Sequence, residues 1–180
     1  MGFEKLFTPM KIGNMEVKNR ISLSPMGTNS AFTLGRKDAQ EIDYFIRRAK
    51  GGVGLITNGC QMLNEAIAQG SMEGYLDSFS VLPALTSMVD GCHRYGAKVI
   101  CKISPGTGRN AFPDTNGNPP MSASAIPSAF LPDVICHPLT KEEIDDIMKM
   151  TEFAAGLARD AGYDGIEVPA HAGYLIDQFM

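Results

Sequence analysis

The sequence lacks most of the features that would take it out of the class of ordinary globular proteins. No apolar run approaches the roughly 20 residues that cross a bilayer as a helix. The start, Met1-Gly2-Phe3-Glu4-Lys5, has no basic-then-apolar leader layout, and Leu6 stands where N-myristoylation needs Ser or Thr. There is no block of like charge. The formal net charge is -4 over 180 residues, which argues against a nucleic-acid-binding face and against a polybasic membrane anchor. A cytosolic location is the resulting expectation. The four cysteines, Cys60, Cys92, Cys101 and Cys136, form no Cys-x-x-Cys pair. Zinc and iron–sulfur frameworks need closely spaced thiolates, so no metal site is expected, and the thiols read as free and mostly buried.

Against these absences stands a regular pattern. Composition is that of a globular protein, 44% hydrophobic and 20% charged, and the length suits one domain, 1–180. Four units recur, each a short apolar strand followed by a segment of helical period. Strands are predicted at about 19–26, 53–57, 98–103 and 164–168. Helices are predicted at 38–50, with Ile42, Phe45, Ile46 and Ala49 on one face, and at 80–95, with Leu85, Met88, Val89 and Cys92 on one face and Gly96 as the stop. A third helix begins at a capping box, Thr140 with Glu143. Its buried stripe is read as Ile144, Ile147, Met148, Thr151 and Ala155, and Gly162 ends it. A helical start follows at 174–180. Residues 6–18 read as a hairpin turning at Gly13-Asn14, positioned to plug the bottom of a barrel. The stretch 104–138 holds seven of the eleven prolines and reads as a long functional loop.

Strand–helix–strand repeats require a parallel sheet, because parallel neighbours need a crossover. Near-continuous apolar strands suit a sheet covered on both faces. Two architectures fit: an open doubly wound sheet, or part of a (β/α)8 barrel. No Gly-x-Gly-x-x-Gly follows the first strand, which counts against the former.

Several segments, in order, carry a family resemblance. They are Leu6-Phe7-Thr8-Pro9, Lys18-Asn19-Arg20-Ile21, Ser24-Pro25-Met26, Gly51-Gly52-Val53-Gly54-Leu55-Ile56, Pro105-Gly106-Thr107-Gly108-Arg109, Pro120-Met121-Ser122-Ala123-Ser124-Ala125-Ile126-Pro127, Ala161-Gly162-Tyr163-Asp164-Gly165-Ile166-Glu167 and Gly173-Tyr174-Leu175-Ile176-Asp177-Gln178-Phe179. Together they resemble the old yellow enzyme family, closest in flavour to enoate, dienoyl-CoA and bile-acid-pathway reductases. The resemblance implies the first half of a (β/α)8 barrel, four parallel strands ending before closure. It also implies an FMN-dependent reductase that passes hydride from NAD(P)H through the flavin to an activated carbon–carbon double bond of an enoate, enoyl-CoA or enone.

By that resemblance Tyr174 is the residue that protonates the second carbon. A phenol is protonated at neutral pH and can deliver a proton as hydride arrives; in isolation a tyrosine there reads rather as an aromatic packing residue at a helix start, and the surrounding Gly-Tyr-Leu-Ile-Asp-Gln-Phe motif reverses that. Pro25, Met26 and Gly27 match the strand end that lies against the flavin ring. Gly59 and Cys60 end the second strand beside it, and Thr28, His171 and Arg109 are candidate substrate contacts. Lys102 stands where the family commonly has Gln. It either contacts the flavin, as a donor only, or pairs with Glu167, since strand alternation aims both side chains into the barrel. Pro169 and Ala172 stand where many relatives have a substrate-gripping His pair, and His171 lies out of phase with them. The family's phosphate-binding loops and any iron–sulfur cysteines belong to later segments. A half barrel has open edges, so self-association or a complementary chain is expected. The competing reading is a non-catalytic half-barrel module.

Overall fold

The computed structural model describes residues 2–28, 36–69 and 73–180. The chain opens with a hairpin. β1 (Met10–Ile12) and β2 (Met15–Val17) are antiparallel, with Ile12 opposite Met15 across the Gly13-Asn14 turn. Then come β3 (Ser22–Met26), α1 (Ala39–Lys50), β4 (Leu55–Asn58), β5 (Gln61–Met62), the short α2 (Glu65–Ala68) and β6 (Gly74–Tyr75). They are followed by α3 (Leu82–His93), β7 (Lys98–Ser104), β8 (Met121–Ser122), β9 (His137–Pro138), α4 (Lys141–Asp160) and β10 (Gly165–Glu167).

The expected parallel sheet is present. β3, β4, β7 and β10 lie side by side in that order, all parallel. β5 continues the line of β4 after a two-residue bulge, pairing Gln61 with Ile103 and Met62 with Ser104 on the upper part of β7. Among the described residues, β3 pairs only with β4 and β10 only with β7, so the sheet is a curled half barrel with two open edges. The long loop has structure of its own: β8 pairs with β9, and Pro127 bridges to Ile135.

Strand boundaries are narrower than the apolar runs suggested, for a local reason at each end. The first strand begins at Ser22 rather than near residue 19, because the Asn19 side chain is spent as a cross-link. It accepts from Ile21 N at 3.1 Å and donates to Gly52 O at 2.7 Å. α1 starts as read, with Asp38 accepting from Glu41 N at 2.7 Å. The second long helix opens with a 3₁₀ turn, and its α-helical part begins at Leu82 with Pro83 in the first turn. The capping box of α4 is closed in both directions: Glu143 N to Thr140 Oγ1 at 3.2 Å and Thr140 N to Glu143 Oε2 at 2.7 Å.

All three long helices pack on one face of the sheet. Alternation along β7 sends Val99, Cys101 and Ile103 into the clusters beneath them, each 0% exposed. Leu85, Met88, Val89 and Cys92 of α3 are buried as expected. The α4 stripe is a correction. Ile147 is buried, but the rest of the buried set is Ala154, Leu157 and Ala158, while Met148 is 59% exposed. The helix is rotated so that Leu157 and Ala158 meet the core of β7. Ile144, Met148 and Thr151 instead line an outward groove of about 280 Å3 with Val168, Leu175 and Phe179. The N-terminal hairpin contributes Val17 to the buried set, and Lys18 donates to Tyr95 O at 2.5 Å, near the C-terminal end of α3 and the N-terminal end of β7.

The cysteines are free, with Cys92, Cys101 and Cys136 buried and Cys60 partly so. At the lower end of the sheet Asp164 ties three elements. Its carboxylate takes Lys98 Nζ at 2.7 Å, Val99 N at 2.8 Å and His93 Nε2 at 2.7 Å. Burial opposes its ionisation, but Lys98, the Val99 amide and His93 outweigh it and hold the carboxyl below the ordinary range. A depressed carboxyl contributes stability above its unfolded pKa, near 3.9, and that contribution disappears as pH falls through the folded-state value. Asp164→Asn is therefore expected to lower the unfolding free energy by about 1–3 kcal/mol at neutral pH. The difference from the parent should shrink in acid, read from urea midpoints at the two pH values.

Candidate functional site

The C-terminal ends of the parallel strands carry the residues singled out in the sequence. β3 delivers Pro25 and Met26, both exposed, with Met26 53% accessible. Gly27 and Thr28 follow at the same end. The Glu73 side chain lies directly against the Gly27 Cα, in the space a Cβ would need. Burial raises the Glu73 carboxyl above its ordinary value against the opposing charge of Lys37. Glu73 was not read from the sequence: it sits outside any strand or helix signal and meets Gly27 from 46 positions away.

Next to this end runs the bulge at Gly59 and Cys60. Gly59 permits a close approach, since a Cβ there would lie 2.6 Å from Met26 O. Buried Gln61 holds the bulge, donating from Nε2 to Gly59 O at 2.8 Å and Cys60 O at 3.1 Å. Burial pushes the Cys60 thiol up to about 11, although a hydrogen bond with Ser104 and the charge of Lys102 work the other way. A thiol held protonated is a poor nucleophile at neutral pH.

Lys102 and Glu167 are register partners on β7 and β10, and their side chains meet, Nζ to Oε1 3.3 Å. Lys102 is 11% and Glu167 40% exposed in their side chains, so the pair faces the concave, helix-free side of the sheet. The backbone beneath is pinned: Lys102 N donates to Asn58 Oδ1 at 3.1 Å, and Asn58 Nδ2 donates to Tyr163 OH at 3.1 Å. Burial holds the Tyr163 phenol far above its ordinary value, which makes it a structural hydroxyl rather than an acid–base group.

Beyond β10 the chain makes a tight turn from His171 to Tyr174, closed by Tyr174 N to His171 O at 3.1 Å. The two rings lie 5.5 Å apart at 57°. His171, out of phase in the sequence, is thus the imidazole that the fold sets beside Tyr174. Leu175 is buried and fixes the far side of the turn to the core. Arg109 lies in a 3₁₀ turn after β7, and the neighbouring Asn110 Nδ2 reaches Ala172 O at 2.7 Å. The Arg109 Nε is buried and donates no hydrogen bond among the described residues. The structure therefore brings together Gly27, Gly59 and Lys102 with Glu167, and separately His171 with Tyr174. Among the described residues no group of three or more His, Cys, Asp or Glu is placed to hold a metal ion.

Residues 5–180 match the sequence profile of the NADH:flavin oxidoreductase / NADH oxidase family. The chain belongs to that family. It is 36% identical over 183 residues to a cinnamate reductase of Clostridium sporogenes, matching 98% of this chain and 28% of the relative. It is 32% identical over 182 residues to an NADPH dehydrogenase of Listeria monocytogenes, matching 98% of this chain and 51% of the relative. Among solved structures, 2-naphthoyl-CoA reductase superposes with a TM-score of 0.84 at 29% identity, covering 98% of this chain and 28% of that one. The old yellow enzyme of Pichia sp. AKU4542 superposes with a TM-score of 0.86 at 24% identity, covering 97% and 48%, a likeness of fold. The chain thus spans between about a quarter and a half of the relatives it matches.

One strained position sits inside the turn. Ala172 has φ +59, a left-handed conformation that costs a residue bearing a Cβ roughly 1 kcal/mol. Ala172→Gly is expected to raise stability by about 0.5–1 kcal/mol, seen as a higher urea midpoint with an unchanged slope.

Proposed function

We propose that this chain supplies the ring-binding and proton-donating half of an FMN-dependent ene-reductase, acting with NAD(P)H on the activated double bond of a small enoate, enoyl-CoA or enone. The observation that carries the reading is the family match over residues 5–180. The Clostridium relative, whose name gives cinnamate as its substrate, and the naphthoyl-CoA reductase neighbour support conjugated acids or their thioesters as the substrate class. With no membrane-spanning helix among the described residues, a cytosolic location accompanies this reading.

The residues present suit a flavin ring. The end of β3 is exposed at Pro25, Met26 and Gly27, offering backbone groups without bulk from Gly27. Gly59 keeps the neighbouring strand end equally low. Lys102 offers a cation on the same concave face, where it would stand near the electron-rich end of the ring. Bound FMN supplies hydride exchange between NAD(P)H and the activated double bond. The polypeptide's part is different. The strand ends hold and orient the ring, and Lys102 balances negative charge while Glu167 balances Lys102. Tyr174 holds a proton on its phenol oxygen for the carbon that does not receive hydride. Thr28, His171 and Arg109 would contact the substrate, Arg109 through a guanidinium whose buried Nε has no partner among the described residues. The 104–138 segment would flank the substrate side.

The test is direct. Joined to the C-terminal half of a relative that carries the family's phosphate-binding loops, the chain should retain flavin absorbance through gel filtration and reduce a cinnamate-type acid with NAD(P)H. Loss of all flavin from that assembly, with the relative's own two halves keeping theirs, would remove the reading. Tyr174→Phe is expected to slow substrate reduction by about 10²–10⁴-fold, while reduction of the flavin by NAD(P)H continues at the parent rate.

A second reading has its own support. The groove beside Met148 is almost wholly apolar, its Val168 and Phe179 are 44% and 50% exposed, and Ile166 on β10 is 46% exposed. Together with the open edges of β3 and β10 this surface suits association with another chain, either a second copy or a complementary half barrel. In that reading the chain is a structural module that binds no flavin. Sedimentation should give an assembly larger than 19.4 kDa; a cooperatively melting monomer would exclude self-association.

A further inference from the structure

The turn that presents Tyr174 is held from three directions. Ala172 and Gly173 both lie in the left-handed region, φ +59 and +71; glycine adopts it freely, but the strain at Ala172 persists only where the surroundings over-determine it. Asn110 Nδ2 donates to the Ala172 carbonyl at 2.7 Å. Asp177 Oδ2 accepts from the Gly173 amide at 2.7 Å. Gln178 Nε2 donates to the Gly173 carbonyl at 2.6 Å.

Gln178 does more than close the turn. Its Oε1 accepts from Ser122 Oγ at 2.7 Å, and Ser122 is fully buried in β8, within the long loop. Room for the carboxamide comes from Gly108, which has φ +60 and no space for a Cβ because the Gln178 amide fills it. One side chain therefore joins the segment after β7, the 104–138 loop and the Tyr174 turn, using its donor on one partner and its acceptor on another. Neither a carboxylate nor a hydrocarbon can do both.

We propose that Gln178, seconded by Asp177 and Asn110, is the positioning residue that fixes the Tyr174 phenol relative to His171 and to the loop over the substrate side. This deepens the proton-donor reading of Tyr174 and rests on it. A proton donor must be held within hydrogen-bond reach of its target, and sub-ångström misplacement is felt in rate. The phenol itself takes no part in the network, so the orientation comes from the backbone that Gln178 clamps.

The experiment is NMR on the 180-residue chain with ring-labelled tyrosine and histidine, Tyr174→Phe serving for assignment. The parent should show a cross-peak between the His171 and Tyr174 rings. In Gln178→Glu, which can still accept from Ser122 but repels the Gly173 carbonyl, that cross-peak should vanish. The Tyr174 ring signals should move toward free-tyrosine positions while the urea midpoint stays near the parent. Gly108→Ala, which displaces the carboxamide without touching the turn, should also lose the cross-peak, with the urea midpoint lowered only by the strain of a Cβ at its own φ of +60. An unchanged cross-peak in both variants overturns the proposal. So does a Gln178→Glu chain that melts as a whole, because the carboxamide would then be general support. These spectra need neither flavin nor substrate, so their failure is separable from failure of flavin binding.

Discussion

The organisation of this chain depends on β7. It pairs with β4 and β5 on one side and β10 on the other, and the period of two along it divides the molecule. Val99, Cys101 and Ile103 anchor the helical layer. Lys102, between the last two, must then face away from every long helix. Lys102 is nearly buried there, a charge so placed needs a partner, and the neighbouring strand in register supplies the carboxylate of Glu167. Hydrophobic packing on one face thus dictates where charge appears on the other.

The same logic explains why the polar groups near the strand ends differ in character. Cys60 and Tyr163 have surroundings that favour their neutral forms, with burial outweighing nearby partners. Asp164, at the opposite end of the sheet, is also partly buried, but a lysine, an amide and a histidine converge on it and keep it ionised. Cys60 is held neutral beside the C-terminal strand ends, Tyr163 within the helix-side clusters, and one compensated ion pair lies on the concave face. The fixed ionic knot sits at the base, away from the residues that match the family's chemistry.

Much of the fold was legible because its signals are local. The Thr140–Glu143 box, the apolar face of Ile42, Phe45, Ile46 and Ala49 and the run from Lys98 to Ile103 each depend on residues a few positions apart. The candidate residues at the strand ends were legible through the family pattern. What escaped depends on distant partners. Helical period showed that α4 has an apolar stripe, but not which part meets β7 and which lines the groove, so Met148 was placed inside when it lies on the rim. The strand limits at Asn19 and Asp164 were missed because both side chains spend themselves on other segments. Glu73, Asn58 and Gln178 left no trace in composition or spacing; only the folded chain brings them to Gly27, Lys102 and Gly173.

The buried thiols have a consequence for how opening of this fold can be watched. Cys101 lies in the cluster beneath α4, and Cys92 in the cluster shared by α1 and α3. Burial raises both thiols, Cys101 to about 12 and Cys92 to about 11, so neither reacts as a thiolate while covered. Alkylation of each must wait for its own layer to separate. The chain carries two native chronometers, one for each side of the helical layer, and the ratio of their labelling rates reports whether the halves of that layer come apart together or one at a time.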